Sequence, residues 1–159
     1  MKRLLALFVT FLAISAITFA NQVYIKMGWV SGDSMNPTLT DRQFITQLIN
    51  WKSITKSNIV TAFVFEWRAD KPIKVIKRVY GVPGDRIQYS LTNGNNHIFV
   101  NDSVVATNSG QYEIFRPGLS RVLKEHELFI MGDNHSETSM HIISTNQVIG
   151  KVITHFLQE

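Results

Sequence analysis

A serine at a turn and a lysine 43 residues further along are the two side chains of this sequence whose setting could support covalent chemistry. Ser34 stands in Ser31-Gly32-Asp33-Ser34-Met35-Asn36-Pro37-Thr38-Leu39. Pro37 fixes its own φ and pushes Asn36 out of the helical region, so the chain turns just after the serine. Such a turn presents Oγ and leaves the Ser34 N–H free to donate to a developing oxyanion, commonly the largest contribution in acyl transfer. Taken alone, the stretch also has the composition of an ordinary turn. A serine hydroxyl is a weak nucleophile, so the chemical reading requires a base.

Lys77, in Lys74-Val75-Ile76-Lys77-Arg78-Val79-Tyr80-Gly81-Val82-Pro83-Gly84-Asp85, is the candidate. An amine takes a proton only when neutral, so its pKa must fall from about 10.4 toward 7–8, which burial achieves. In a strand, Val75, Lys77 and Val79 share one face while Ile76, Arg78 and Tyr80 share the other. Lys77 then sits between two valines on a face expected to be covered. Arg78 points the other way and, never neutral, cannot act as base. Gly81–Asp85 reads as a tight turn that ends the strand. A snorkelling lysine is the ordinary alternative.

A third block, Met131-Gly132-Asp133-Asn134, completes a pattern. In order and content, the three blocks resemble the type I signal peptidases, serine proteases with a Ser–Lys dyad, over roughly residues 28–152. The resemblance implies Ser34 as nucleophile, Lys77 as base, no cofactor and no metal. Many members carry a hydroxyl as second oxyanion donor two residues before the serine. Here that position is Gly32, so the second donor must come from backbone or from elsewhere. The family also has a serine that hydrogen-bonds the lysine, then an Asp-Ser-Arg triplet. Thr138 falls at the orienting position, with Ser139 as a one-residue alternative, and Met140, His141 and Ile142 replace the triplet, so its Asp–Arg bridge cannot form as such.

The implied substrate is an exported precursor with a signal peptide, bound extended against the strands leading into Ser34 and Lys77. Met35, Val75 and Ile76 would contact it, and small side chains are implied at the first and third positions before the cut. The implied location is the bacterial inner membrane, with the catalytic domain on the extracytoplasmic side. The altered third block also suits a dedicated peptidase maturing a pilin-like precursor in a conjugative-transfer or secretion system. A catalytically inactive membrane-tethered β-domain is a further alternative.

A Ser-His-Asp hydrolase built from Ser34, Asp133 and His135 or His141 is the rival chemistry. The Gly-Asp-Ser lipases it would resemble call for an α/β fold and an Asp-x-x-His pair, whereas this chain has Asp133-x-His135. The five histidines include no His-x-x-x-His pair for a metal, and with no cysteine there is neither disulfide nor thiolate chemistry.

Leu4 to Ile25 carries no charge, and its 22 residues as a helix span about 33 Å, enough for a bilayer core of about 30 Å. Lys2 and Arg3 precede it and put the N-terminus on the cytoplasmic side. A cleaved secretory signal ending at Thr18-Phe19-Ala20 is the alternative, but the apolar run exceeds the usual 7–15 residues. The net charge of +4 invites a nucleic-acid reading. Lys2, Arg3 and Lys26 flank the apolar segment, however, and the other thirteen basic residues face all twelve acids, a net of +1. Arg68, Lys71, Lys74 and Arg78 read as a solvated face, and no nucleic-acid partner is expected.

The expected architecture is mainly β: an antiparallel β-barrel or sandwich catalytic domain over residues 27–159, with one N-terminal transmembrane helix within residues 1–26. Strands are predicted at Gln43–Trp51, Asn58–Phe65, Val75–Tyr80, Arg86–Leu91, His97–Asn101, Ser103–Thr107, Leu128–Met131 and Val148–Phe156. Asn93–Asn96 and Asn101-Asp102 mark turns, the second within a hairpin. Met27, Trp29, Phe44, Leu48, Trp51, Phe63, Phe65 and Trp67 exceed what a small barrel holds, which predicts a face apposed to membrane lipid. Of these, Phe63 and Phe65 are expected in the core.

Overall fold

The computed structural model describes residues 24–49, 53–66, 70–92, 94–108, 118 and 120–155, and these form two antiparallel sheets. The strands are β1 (Tyr24–Trp29), β2 (Phe44–Ile49), β3 (Ile59–Glu66), β4 (Lys71–Gly81), β5 (Arg86–Thr92), β6 (Asn95–Val100), β7 (Ser103–Asn108), β8 (Ser120–Val122), β9 (Glu127–Met131), β10 (Met140–Ser144) and β11 (Val148–His155). The larger sheet runs β1-β2-β11-β3-β4-β9-β10 and the smaller β7-β6-β5-β8. The mainly β, antiparallel expectation is therefore met.

Residues 1–23, which hold most of the predicted transmembrane helix, lie outside the described residues, as do Trp51, Trp67, Arg68 and Phe156. Among the described residues no helix is long and apolar enough to cross a membrane. Strand β1 starts at Tyr24, inside the stretch assigned to the anchor. Strands β8 and β10 were not anticipated either. Both are short, and β10 follows the third block with an unremarkable Met-His-Ile-Ile-Ser that pairing with β9 turns into strand.

Local chemistry accounts for the connections. Asn101 and Asp102 both take positive φ, 50° and 65°, as a two-residue hairpin that matches strand twist requires. Asp85 closes the turn after β4: its N–H donates to the Val82 carbonyl at 3.0 Å and its carboxylate accepts from the Val82 N–H at 2.8 Å.

Three apolar clusters position the site. Val60, Ala62, Val64, Val79, Leu128, Ile130 and Ile143 cover the face of the large sheet that carries Lys77. Val30, Met35, Leu39, Ile45, Ile59 and Val152 pack beneath the serine turn. The small sheet buries Ile87, Tyr89, Ile98 and Val100 against Phe129 and Met131 of the large one. Phe63 and Phe65 are corrections: they stand 48% and 43% exposed. Ala62 and Val64 take the buried face of β3, and strand alternation turns the two phenylalanines outward.

Candidate active site

Residues 33–39 make a compact turn, with the Asn36 N–H donating to the Asp33 carbonyl at 3.0 Å and the Leu39 N–H to the Met35 carbonyl at 3.0 Å. Met35 and Leu39 anchor it in the core. The third block holds it from above: the Asn134 N–H donates to the Ser34 carbonyl at 3.1 Å, and Asn134 Nδ2 to the Asp33 carbonyl at 3.2 Å. The Ser34 N–H has no protein partner among the described residues. The Gly32 N–H, by contrast, donates to Asp41 Oδ1 at 2.8 Å. Gly32, read from sequence as a possible oxyanion contributor, therefore offers no free amide.

Strand β4 delivers Lys77 to the serine. Lys77 is 3% exposed, and its Nζ lies 2.9 Å from Ser34 Oγ and 3.0 Å from Thr138 Oγ1. Thr138 Oγ1 also accepts from the Gly132 N–H at 2.8 Å and donates to the Ser139 carbonyl at 2.9 Å. A hydroxyl has one proton and two lone pairs, so all its capacity is used and its orientation is locked. Of the two register choices, it is Thr138 rather than Ser139 that meets the lysine.

Burial lowers the Lys77 pKa to about 8, against the opposing pull of the Asp133 charge. That pull is blunted because Asp133 is already paired. Arg78 Nε donates to its Oδ1 at 2.8 Å and Arg78 Nη2 to its Oδ2 at 2.6 Å, a bidentate fork. Burial disfavours the Asp133 carboxylate, but hydrogen bonds from Arg78 and Thr38 and the Arg78 charge hold its pKa below the usual range. Arg78 also reaches the Ser57 carbonyl at 2.9 Å and Thr38 Oγ1 at 3.3 Å, so it ties the serine turn to β4 and β9.

This corrects the solvated-face reading of Arg78. Being on the opposite face from Lys77 still leaves it covered, because the third block folds across that face. Asp133 and Arg78 thus form an Asp–Arg bridge between two other blocks, although the Asp-Ser-Arg triplet is absent. The role of Gly132 was also missed. A Cβ there would lie 2.1 Å from the Ser34 carbonyl oxygen and 2.4 Å from Thr138 Oγ1. The only sequence signal for that closeness was the glycine itself.

The rival triad does not assemble. Ser34 Oγ is held by Lys77, His141 Nε2 faces Ser139 Oγ at 2.8 Å, and His135 Nε2 lies 3.3 Å from the Tyr80 hydroxyl. Burial, and then the Lys77 charge, lower the His141 pKa to about 4, so this histidine is neutral at pH 7.

Beside Ser34 and Lys77 runs a cleft of about 370 Å³, lined by Gly28 to Gly32, Met35, Ile45, Gln47 and Ile73 to Ile76. All three residues expected to meet substrate, Met35, Val75 and Ile76, line it. Strand β9 pairs with β4 only from Arg78 onward, and β1 pairs with β2 alone. Two strand edges, at Lys71–Lys77 and at Tyr24–Trp29, therefore remain open among the described residues.

A turn-borne serine beside a buried lysine, under a cleft with open strand edges, has the geometry of a serine peptidase site. The family model for signal peptidases, peptidase S26, matches residues 1–157, and the chain belongs to that family. It is similar to signal peptidase IB of Staphylococcus aureus, 26% identical over 152 residues that cover 80% of this chain and 75% of that protein. It is also similar to signal peptidase I of Streptococcus pneumoniae serotype 4, 32% identical over 99 residues that cover 62% of this chain and 42% of that protein.

Proposed function

We propose that this chain is a membrane-anchored serine endopeptidase that removes N-terminal signal peptides from exported proteins, with Ser34 as nucleophile and Lys77 as general base. The observation that carries the reading is the 2.9 Å contact between Lys77 Nζ and Ser34 Oγ, on a lysine whose burial makes it titrate near 8.

The cycle follows from these contacts. About one Lys77 in ten is neutral at pH 7, and in that form its lone pair accepts the Ser34 proton. Thr138 meanwhile accepts an Nζ–H, which keeps the lone pair aimed at Oγ. Oγ attacks the scissile carbonyl, and the free Ser34 N–H donates to the oxyanion. The lysinium returns its proton to the leaving amine. Lys77, neutral again, activates the water that hydrolyses the acyl-enzyme. An extended precursor adds a strand between the open edges of β1 and β4, a form of β-augmentation.

Tyr24, Ile25, Met27 and Trp29 of β1 are exposed, as are Phe63 and Phe65. Exposed apolar side chains of this kind, following the uncharged residues 4–23 in sequence, are suited to resting on lipid, where a signal peptide emerges. The orientation with the catalytic domain outside the cytoplasm rests on Lys2 and Arg3.

The test is cleavage of a purified exported precursor by the full chain in detergent. Processing at the leader junction, abolished in Ser34→Ala and in Lys77→Ala, is the expected result. No cleavage, or cleavage that survives Lys77→Ala, would refute the reading.

A further inference from the structure

We propose that Gly28 and Gln47 make the outer side-chain pocket of the cleft selective for a hydrogen-bonding residue, so that substrates carry a neutral side chain with an acceptor (Asn, Gln, Ser or Thr) three positions before the cut. This deepens the peptidase reading above and rests on it.

An extended substrate with its scissile carbonyl at Ser34 turns its first and third residues to the same side, about 6.6 Å apart. The first lies against Ser34 and Met35. The third falls further up β1, toward Gly28. In the β1–β2 register Gly28 lies opposite Ile45 and Gln47 opposite Lys26, which puts Gly28, Ile45 and Gln47 on one face, and all three line the cleft.

Two features set the character of that outer pocket. A Cβ on Gly28 would meet nothing within 4 Å, so the space is left for the substrate to fill. Gln47 is a buried polar residue, 1% exposed, next to Ile45 on the same face of β2. Its Oε1 accepts the Thr61 hydroxyl at 2.5 Å. That bond turns the carbonyl end of the amide toward β3 and leaves the donor-only Nε2 as the group with capacity to spare. An apolar side chain packed against this amide offers its N–H groups no acceptor. A carbonyl or hydroxyl supplies the missing acceptor. Small residues are expected at both pockets from the resemblance alone; the room at Gly28 and the amide of Gln47 separate the outer pocket from the inner one.

The experiment uses the full chain in detergent and a set of peptides spanning one signal-peptide junction, identical except for Ala, Val, Asn or Thr at the third position before the cut. The expected result is kcat/KM for Asn and Thr about tenfold above Val, the scale of one hydrogen bond left unmade. Gln47→Leu should reverse that order. Gly28→Val, at a position with open space and no left-handed φ, should depress Val, Asn and Thr peptides together while sparing Ala. Each ratio is taken within one variant, so a partly folded preparation does not alter it. Equal rates for Val and Asn in the unaltered chain, or a preference unchanged in Gln47→Leu, overturn the proposal while leaving the peptidase reading intact. Failure to cut any of the peptides overturns both.

Discussion

Gly132 and Ser34 are packed so closely that no side chain fits between them: a Cβ on the glycine would come within 2.1 Å of the Ser34 carbonyl oxygen. The same added atom would meet Thr138 Oγ1 at 2.4 Å. The turn that carries Ser34 and the Thr138 hydroxyl that hydrogen-bonds Lys77 are thus set against one backbone position, and their spacing depends on it.

Gly132→Ala should therefore separate Ser34 from Lys77 and Thr138. A displacement of about 1 Å at a reacting centre costs on the order of 100-fold in rate. Peptide cleavage assays should show kcat reduced by about that factor, with far-UV circular dichroism still reporting the β-fold. An Ala variant with unaltered kcat would mean the contact is irrelevant to chemistry.

Activity should follow the protonation of Lys77. Only the neutral amine accepts the serine proton, so kcat/KM rises as pH increases and levels off above an apparent pKa of about 8. Lys77→Arg should be inactive at every pH up to 10, because guanidinium keeps its proton. A pH–rate profile on the wild-type and Arg chains checks both statements. An active arginine variant removes lysine from the role of base.

The same burial carries a stability cost. Folded Lys77 titrates at about 8 against 10.5 for a free lysine, so between these values the unfolded chain binds more protons and stability rises with pH. Below pH 8 the full penalty applies, about 3 kcal/mol. Lys77→Met removes it and forfeits the two bonds to Ser34 and Thr138, at about 1 kcal/mol each, for a net gain of about 1 kcal/mol at pH 7. Denaturant unfolding should find the methionine variant more stable at pH 7, with the advantage shrinking toward pH 10.5. A variant less stable at pH 7 contradicts the account.

Breaking the Arg78–Asp133 fork should loosen the serine turn. Asp133→Asn leaves a half-buried guanidinium without its carboxylate and should cost about 2 kcal/mol, less than a fully buried pair because Arg78 keeps some exposure. Asp133 titrates below the usual carboxylate range. Its contribution is therefore present above about pH 4 and is lost as pH falls through its lowered folded value. Urea titrations of both chains at pH 7 and pH 3 should show a gap that is narrower at pH 3.

A chain beginning at Tyr24 retains β1 and tests by itself whether the exposed apolar residues of that strand meet lipid. Trp29 is 69% exposed, and an indole favours the interfacial region. This shortened chain should float with lipid vesicles and cleave faster in detergent. If it does neither, the apolar surface does not contact the membrane.

Much of this protein was legible along the chain because the relevant signals are local. Alternation in Val75–Tyr80 put Lys77 on the covered face, Pro37 announced the turn beside Ser34, and Asn101-Asp102 announced the hairpin, each through the torsions or pleat of a few neighbouring residues. The order of the three blocks pointed to the family before any distance was known. What only the folded chain decided involves partners far apart in sequence. Arg78 looked solvated until the block at Asp133 crossed over it, 55 residues away. Phe63 and Phe65 looked like core until the register of β3 assigned the buried face to Ala62 and Val64. Gly132 and Gln47 acquired meaning from what approaches them across the sheet, and composition has no access to such approaches. Side-chain direction is set by the strand itself; what waits on the other side is set by topology.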